Sequence, residues 1–204
     1  MIKLNAAFPA RLLARMSIIG AILVLAGCAH PVSVRADVNY PSDQTVDTSV
    51  GYFISDANRK LEVTTPAGGG DKMRYFPYRD MEPAILNTLG SVFRKVYSVP
   101  EAGRAAYISD HHLTFVFEPI LTTNSSGNSA IFWPASDFDL TIKVTALNAS
   151  GQTVWNRDFT GHGHVEKSRS LIDVPPAKEA AAEAFGKLRK ALMEDPQFQG
   201  SAIH

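Results

Sequence analysis

Residues 138–146 read Phe-Asp-Leu-Thr-Ile-Lys-Val-Thr-Ala, the most regular alternation of apolar and polar residues in this 204-residue chain. Successive side chains of a β-strand point to opposite faces of its sheet, so this run predicts a strand with one buried and one wet face. Its apolar side is formed by Phe138, Leu140, Ile142, Val144 and Ala146. Helices are expected to cover that side alone, because antiparallel sheets commonly keep one face in water.

Two further strands are predicted beside this one. Residues 112–123 alternate in the same manner, with Pro119 marking a bulge or an edge position. On the other side, the turn Asn148-Ala149-Ser150-Gly151 leads into residues 153–165. The three strands together predict an antiparallel meander.

The region before the meander is less regular. Residues 49–55 predict a first strand, and residues 60–65 predict its hairpin partner. Residues 66–71 read Pro-Ala-Gly-Gly-Gly-Asp and interrupt regular structure.

Two amphipathic helices are predicted around the meander. The first begins at Asp80, a favourable N-cap, and its apolar residues recur at three- and four-residue spacing as far as Val96. The second is rich in alanine and covers residues 176–194. This order of elements predicts an α+β fold, with an antiparallel sheet of about five strands and two helices packed on one face.

The amino-terminal segment has the pattern of a signal peptide. Basic residues Lys3, Arg11 and Arg15 precede an apolar run over residues 18–25, which ends in small residues before Cys28. The run is too short for a transmembrane helix, which needs about 18 or more apolar residues. The sequence therefore predicts a processing site at this place.

Leu25-Ala26-Gly27-Cys28 resembles the lipobox of the bacterial lipoprotein signal family. The resemblance implies cleavage before Cys28 and acylation of that residue. Ala29, rather than an aspartate, follows the cysteine, which by the same resemblance implies an outer-membrane anchor with the domain facing the periplasm. Two or more acyl chains hold a protein stably, whereas one chain gives marginal binding.

These features divide the chain into four parts. They are a signal peptide at 1–27, the acylated cysteine and an extended tether at 28–47, one periplasmic α+β domain at 48–196 and a C-terminal tail at 197–204. Without the leader, 17 Lys and Arg stand against 20 Asp and Glu, a balance that does not favour nucleic acid as a partner. The chain has a single cysteine, so the domain is expected to depend on packing alone.

The order of the elements provides a second resemblance. A lipobox, a tether, a strand, an amphipathic helix, a meander with a turn at residues 148–151 and an Ala-rich helix before Asp195-Pro196 resemble the YajG-type and related auxiliary lipoproteins of the Gram-negative outer membrane. The Gly68-Gly69-Gly70 segment and residues 75–80 depart from that pattern. The resemblance implies an accessory role in the cell envelope.

Candidate catalytic groups lack the environment that catalysis needs. Asp137 and Asp139 share the wet face of the meander, with Glu118 opposite, but an acid–base pair needs one desolvated carboxylate to raise its pKa. The sequence contains no Gly-x-Ser-x-Gly motif. We therefore predict a protein that is not an enzyme.

A histidine pair is the one metal-ligand candidate. His162 and His164 are two residues apart on a predicted strand and so point to one face, as a metal site requires. His111 and His112 are further possible ligands. No cysteine or carboxylate lies at the usual ligand spacing, so exposed polar residues are the favoured interpretation, and we predict no metal and no cofactor.

Aromatic and basic residues outside the periodic segments form the best binding candidate. Tyr, Trp and Arg are enriched at interface hot spots, and aromatic rings also stack on sugars. The candidate residues are Arg74, Tyr75, Phe76, Tyr78, Arg79 and Trp133. The alternative is that these rings close the edge of the core.

The sequence thus predicts a non-catalytic accessory or interaction component of an envelope complex for transport, secretion or surface-appendage assembly. Its partner would be an envelope protein or a second copy of the chain. The alternative function is a lipoprotein that holds a lipid or a glycan between its helices and its sheet. A buried apolar cavity would favour that alternative.

Overall fold

The computed structural model describes residues 29–41, 46–127, 136–166 and 174–199. These residues form a five-stranded sheet and a three-stranded sheet. The strands are β1 (Ala29–Pro31), β2 (Val46–Tyr52), β3 (Val63–Pro66), β4 (Lys72–Tyr75), β5 (Phe93–Ser98), β6 (Phe115–Ser126), β7 (Asp137–Asn148) and β8 (Thr153–His164).

Five helices accompany the strands in these ranges. They are α1 (Asp56–Arg59), α2 (Pro77–Gly90), α3 (Arg104–Asp110), α4 (Pro175–Glu194) and α5 (Pro196–Gln199). Within the described parts of the chain, none of the helices has the length and apolar character that a membrane crossing requires.

The larger sheet has the strand order β5-β2-β6-β7-β8 and confirms the predicted α+β fold. The meander β6-β7-β8 is antiparallel, with Leu140 opposite Thr123 and Gly161. The prediction of a wholly antiparallel sheet is wrong, because β2 lies parallel to both β5 and β6. Parallel neighbours need a long crossover connection, and here the small sheet and α2 lie between β2 and β5.

Two local predictions differ from the structure for reasons of packing. Residues 60–65 do not pair with the first strand, because β3 joins the small sheet in the order β1-β4-β3. The first helix begins at Pro77 and ends at Gly90, so Val96 lies in β5 instead. The Asp80 carboxylate accepts a hydrogen bond from the Val34 backbone N–H at 3.1 Å rather than capping the helix.

The segment predicted as a tether is extended, but its first part belongs to the folded body. β1 pairs in parallel with β4, and the chain that follows buries every second side chain. These buried residues are Val32, Val34, Ala36 and Val38. Within the predicted tether, residues 29–38 are therefore part of the folded body, because their alternation supplies apolar surface to the core.

The two long helices pack on one face of the large sheet, as predicted, but α3 lies on the other face. Tyr107 and Ile108 of α3 pack against a small cluster of Val99, Leu113 and Val116. A side chain at Gly51 of β2 would overlap Val99 and Leu113 of this cluster. Helices therefore cover both faces at the β2–β5 end of the sheet, and none of the described helices covers the outer face of the meander.

Helix α4 lies so close to strand β8 that the backbones of the two elements are in contact. A Cβ atom at Gly161 would overlap the carbonyl oxygen of Ala180, and one at Gly163 would overlap that of Pro176. The alanines of α4 that face the sheet are fully buried, namely Ala177, Ala180, Ala181 and Ala184. Glycine on the strand and alanine on the helix thus allow the two elements to lie in direct contact.

This approach also protects the edge of the sheet. The Glu183 carboxylate accepts from the His162 backbone N–H at 2.8 Å, and Glu179 accepts from that of His164 at 3.1 Å. Lys187 donates to the Thr160 carbonyl at 2.8 Å. An edge strand whose backbone groups are occupied is a poor template for unwanted pairing.

The predicted C-terminal tail contributes to the core. Phe198 of α5 is fully buried, because it fills the centre of an aromatic cluster. Its ring centroid lies 5.2 to 6.0 Å from those of Phe93, Phe115, Phe117 and Trp155. Residues 196–199 therefore belong to the folded domain.

We expect Gly161→Ala to lower the free energy of unfolding by about 1–3 kcal/mol, because the added methyl group forces α4 away from β8. Urea denaturation measures this change. Gly90→Ala is the matched control, since nothing lies within 4 Å of a Cβ atom there and alanine is the better helix former. Equal stability of the two variants would contradict the close contact.

Candidate functional site

The predicted binding patch is divided between the core and the surface. Tyr75 is 1% exposed and Tyr78 is 2% exposed, so neither ring is available to a partner. The prediction of an exposed patch is wrong for these two residues, and the alternative of core closure applies to them. Trp133 lies outside the described residues, as do Leu25, Ala26, Gly27 and Cys28.

Tyr75 joins the small sheet to β6 through a hydroxyl network. Its Oη donates to Thr123 Oγ1 at 2.7 Å and accepts from Thr65 Oγ1 at 3.4 Å. Ser125 Oγ lies 2.6 Å from Thr65 Oγ1. Burial raises the pKa of Tyr75, which keeps the phenol protonated as a hydrogen-bond donor. The residue is structural.

The remaining members of the patch stay at the surface but are not joined into one site. Arg74 pairs with Glu62 at 3.3 Å, and the Arg79 guanidinium lies 4.0 Å above the Phe76 ring. β4 explains the split, since its four residues alternate between exposed and buried. Three surface side chains, each with a local partner, make a weak candidate.

The space between the long helices and the sheet is filled. The apolar gap there has a volume of about 10 Å³ and is lined by Ile85, Leu89, Phe117, Pro119, Ile142, Val144 and Leu188. A volume of this size is at the lower limit for a single water molecule. It cannot hold a lipid chain or a sugar ring, so the place predicted for a bound ligand is occupied by side chains.

The strongest candidate surface is the side of β6, β7 and β8 that faces away from α2 and α4, which we call the open face. It carries Glu118, Ile120, Thr122 and Asn124 from β6, Asp137, Asp139, Thr141, Lys143 and Thr145 from β7, and Asn156, Asp158, Thr160, His162 and His164 from β8. Ile120 is 53% exposed, halfway along β6, which is one of the two outer strands of this surface. The face is polar and mixed in charge, with one exposed apolar side chain.

Two histidine–carboxylate pairs lie at one end of the open face. His162 Nδ1 is 2.7 Å from Asp139 Oδ1, and His164 Nδ1 is 2.6 Å from Asp137 Oδ1. Each pair joins residues directly opposite one another on β7 and β8. Asp137 also accepts from Ser126 Oγ at 3.1 Å. The sequence placed these four residues on one face but did not show that they pair.

The electrostatics of these pairs favour the charged forms. The hydrogen bond to Asp139 raises the pKa of His162 above its ordinary value. The hydrogen bond from His164 lowers the pKa of Asp137. A general-acid carboxylate needs the opposite shift, produced by desolvation, and the pKa of Asp137 is not shifted in that direction.

Glu118 and His111, which were also considered as functional residues, lie far from the two histidine–carboxylate pairs. Glu118 lies opposite Thr145 and pairs with Arg104 of α3. The ring of His111 packs 4.0 Å from that of Tyr107 at the opposite end of β6. Within the described ranges no three histidine, cysteine or acidic side chains are grouped so that they could hold a metal ion.

A partly buried ion-pair network was missed in the sequence. Arg59 Nη2 donates to Glu82 Oε1 at 2.8 Å, and Tyr52 Oη donates to the same oxygen at 3.0 Å. Burial alone would raise the pKa of Glu82, but these hydrogen bonds lower it. The three residues come from β2, α1 and α2, so no local spacing connects them. The network fixes α1 to the fold and offers no reactive group.

We expect Asp139→Asn to lower the pKa of His162 toward its ordinary value, because the variant removes the anionic acceptor that stabilises the imidazolium. An NMR titration of the histidine ring protons measures the shift. Asp158→Asn is the matched control, since it removes a charge from the same face without contacting His162. An unchanged pKa of His162 in the first variant would disprove the pairing.

No protein-family model and no curated protein matches the sequence. Among solved structures, a PelC dodecamer from Paraburkholderia phytofirmans matches with a TM-score of 0.46 at 12% identity, covering 76% of this chain and 91% of that chain. Protein XCC0632 from Xanthomonas campestris matches with a TM-score of 0.42 at 12% identity, covering 85% of this chain and 95% of that chain. Likenesses at this level do not establish a shared function.

Proposed function

We propose that this chain is an outer-membrane lipoprotein, acylated at Cys28, whose periplasmic domain is a non-catalytic interaction component of a cell-envelope complex. The complex would serve transport, secretion or surface-appendage assembly. The lipobox Leu25-Ala26-Gly27-Cys28 supports the anchor. The filled core and the exposed, self-paired charges of the open face support a role in contact rather than in chemistry.

The filled gap between helices and sheet is the observation that carries this proposal. A ligand-holding lipoprotein needs a cavity of roughly 300 Å³ or more for a small molecule, and the gap here is about 10 Å³. This gap is therefore too small for a lipid or a glycan, and the larger hollow of about 350 Å³ beside Leu86, Gly90 and Val96 is open to solvent rather than enclosed.

The open face is the surface through which we propose that the partner binds. This face is large, because three strands of 12 residues each contribute to it. An exposed apolar residue surrounded by polar groups is the arrangement found at protein interfaces, where a dry centre is enclosed by a polar rim. Ile120, which lies beside Thr122 and opposite Lys143, provides that centre. The partner is an envelope protein or a second copy of this chain.

We expect Cys28→Ser to abolish acylation and to leave unprocessed precursor or released protein, because no thiol remains to accept the acyl chains. Labelling of cells that express the full chain with a fatty-acid probe, with mass spectrometry of the protein, measures this loss. Ser150→Ala serves as the control, since it changes an exposed turn residue and leaves the lipobox intact. Normal fatty-acid labelling of the serine variant would overturn the proposed anchor.

We expect Ile120→Glu to reduce complex formation several-fold, because it places a charge at the proposed centre of the interface. A photoreactive amino acid at Thr122, activated in cells, measures the yield of discrete crosslinked products. The melting temperature should not fall, because Ile120 is already half exposed.

Leu86→Glu is the matched control for that experiment. Leu86 is a similarly exposed apolar residue, 41% accessible, and it lies on α2 rather than on the open face. The masses of the products separate a second copy from another protein. An equal yield in both variants, or no product from position 122, would refute the open face as the binding surface.

A further inference from the structure

Ala29, the residue that follows Cys28 in the sequence, is already paired in a strand. Ala29 is paired with Lys72, and Pro31 is paired with Arg74, in the parallel strands β1 and β4. The Val32 N–H then donates to the Arg74 carbonyl at 3.0 Å. His30 Nε2 lies 3.1 Å from Asp71 Oδ2 and fixes the strand from the side. The chain is therefore held to the domain from its first described residue.

This arrangement leaves almost no length between the anchor and the domain. Consecutive Cα atoms are about 3.8 Å apart, so the modified residue is one step from a strand that is already paired. A flexible tether of 19 residues could reach roughly 60 Å, but that reach is lost when the chain is fixed from Ala29 onward. The acyl chains and the body must therefore lie next to each other.

The position of β1 also defines one end of the molecule, which we call the β1 end. Ala29 and Pro66 both pair with Lys72, and Ser125 Oγ donates to the Pro66 carbonyl at 2.5 Å. The neighbouring Ser126 is the last residue of β6 and pairs with Asp137, the first residue of β7. The start of β1 therefore lies level with the Ser126 end of the long strands.

The opposite end of the molecule is the turn at residues 148–151. β7 has 12 residues between Asp137 and Asn148, and at about 3.3 Å per residue the two ends are about 36 Å apart. Ala149 is exposed at that far turn, and Lys72 is exposed at the β1 end. The two residues are suitable markers for the two ends.

From this geometry we infer that the domain sits directly on the outer membrane, with its β1 end against the lipid headgroups and the 148–151 turn pointing into the periplasm. The inference rests on the proposed acylation of Cys28 and goes beyond it, because an anchor on a free tether would impose no orientation. The headgroup-facing surface consists of Ala29, the exposed Gly69 and Gly70, Asp71 and Lys72. Lys72 supplies a cation for lipid phosphates, and the glycine turn presents backbone without bulky side chains.

Fluorescence energy transfer to the bilayer tests the orientation. The full chain carrying Lys72→Cys or Ala149→Cys is extracted from the outer membrane, labelled with a donor dye and reconstituted into vesicles of phosphatidylethanolamine and phosphatidylglycerol with a headgroup acceptor. Mass spectrometry of the same samples establishes acylation. We expect transfer from position 72 to be several-fold more efficient than from position 149.

A flexible linker is the matched control. Insertion of a long Gly-Ser segment between Cys28 and Ala29 should make the two positions nearly equal, because it restores free rotation. Ser126→Cys replaces Lys72→Cys as the near marker if circular dichroism shows that the latter does not fold. Equal or reversed transfer in acylated protein overturns the orientation and leaves the anchor in place. An unmodified Cys28 overturns the anchor and this inference together.

Discussion

The fold depends on the contact between the backbone of helix α4 and the backbone of strand β8. The carbonyl oxygens of Pro176 and Ala180 occupy the space that side chains at Gly163 and Gly161 would fill. This contact allows the buried face of α4, with Phe185 at its centre, to reach the apolar side of the meander. The same closeness brings Glu179 and Glu183 to the outer edge of β8. The close contact between α4 and β8 therefore both packs the core and protects the edge of the sheet.

The sequence predicted the elements whose neighbours are close in the chain. The alternation over residues 138–146 predicted the buried face of β7, and its partners β6 and β8 are its neighbours in the chain. The parallel position of β2 has no such local signal, since Val50 pairs with Val96 and Phe115 far along the chain. Long-range pairing of this kind depends on tertiary contacts that periodicity cannot show.

The predictions for α2, for Tyr75 and for His162 were wrong or incomplete because each depended on a short stretch of sequence. The apolar spacing of α2 continues past Gly90 into Val92 and Val96, so periodicity alone extended the helix into a strand. Four residues of β4 alternate too briefly for the burial of Tyr75 to be recognised. The open face was recognised as wet, but the pairing of His162 with Asp139 needed the register of β7 against β8. Strand register is set by the whole sheet.

The position of Phe198 has a consequence for how the protein is made. Its ring closes a cluster that includes Phe93 of β5 and Trp155 of β8, while Val34 enters the same core from the other end of the domain. A nascent chain that lacks residue 198 leaves those rings in water. The aromatic core is therefore completed only when the last turn of the described chain is in place.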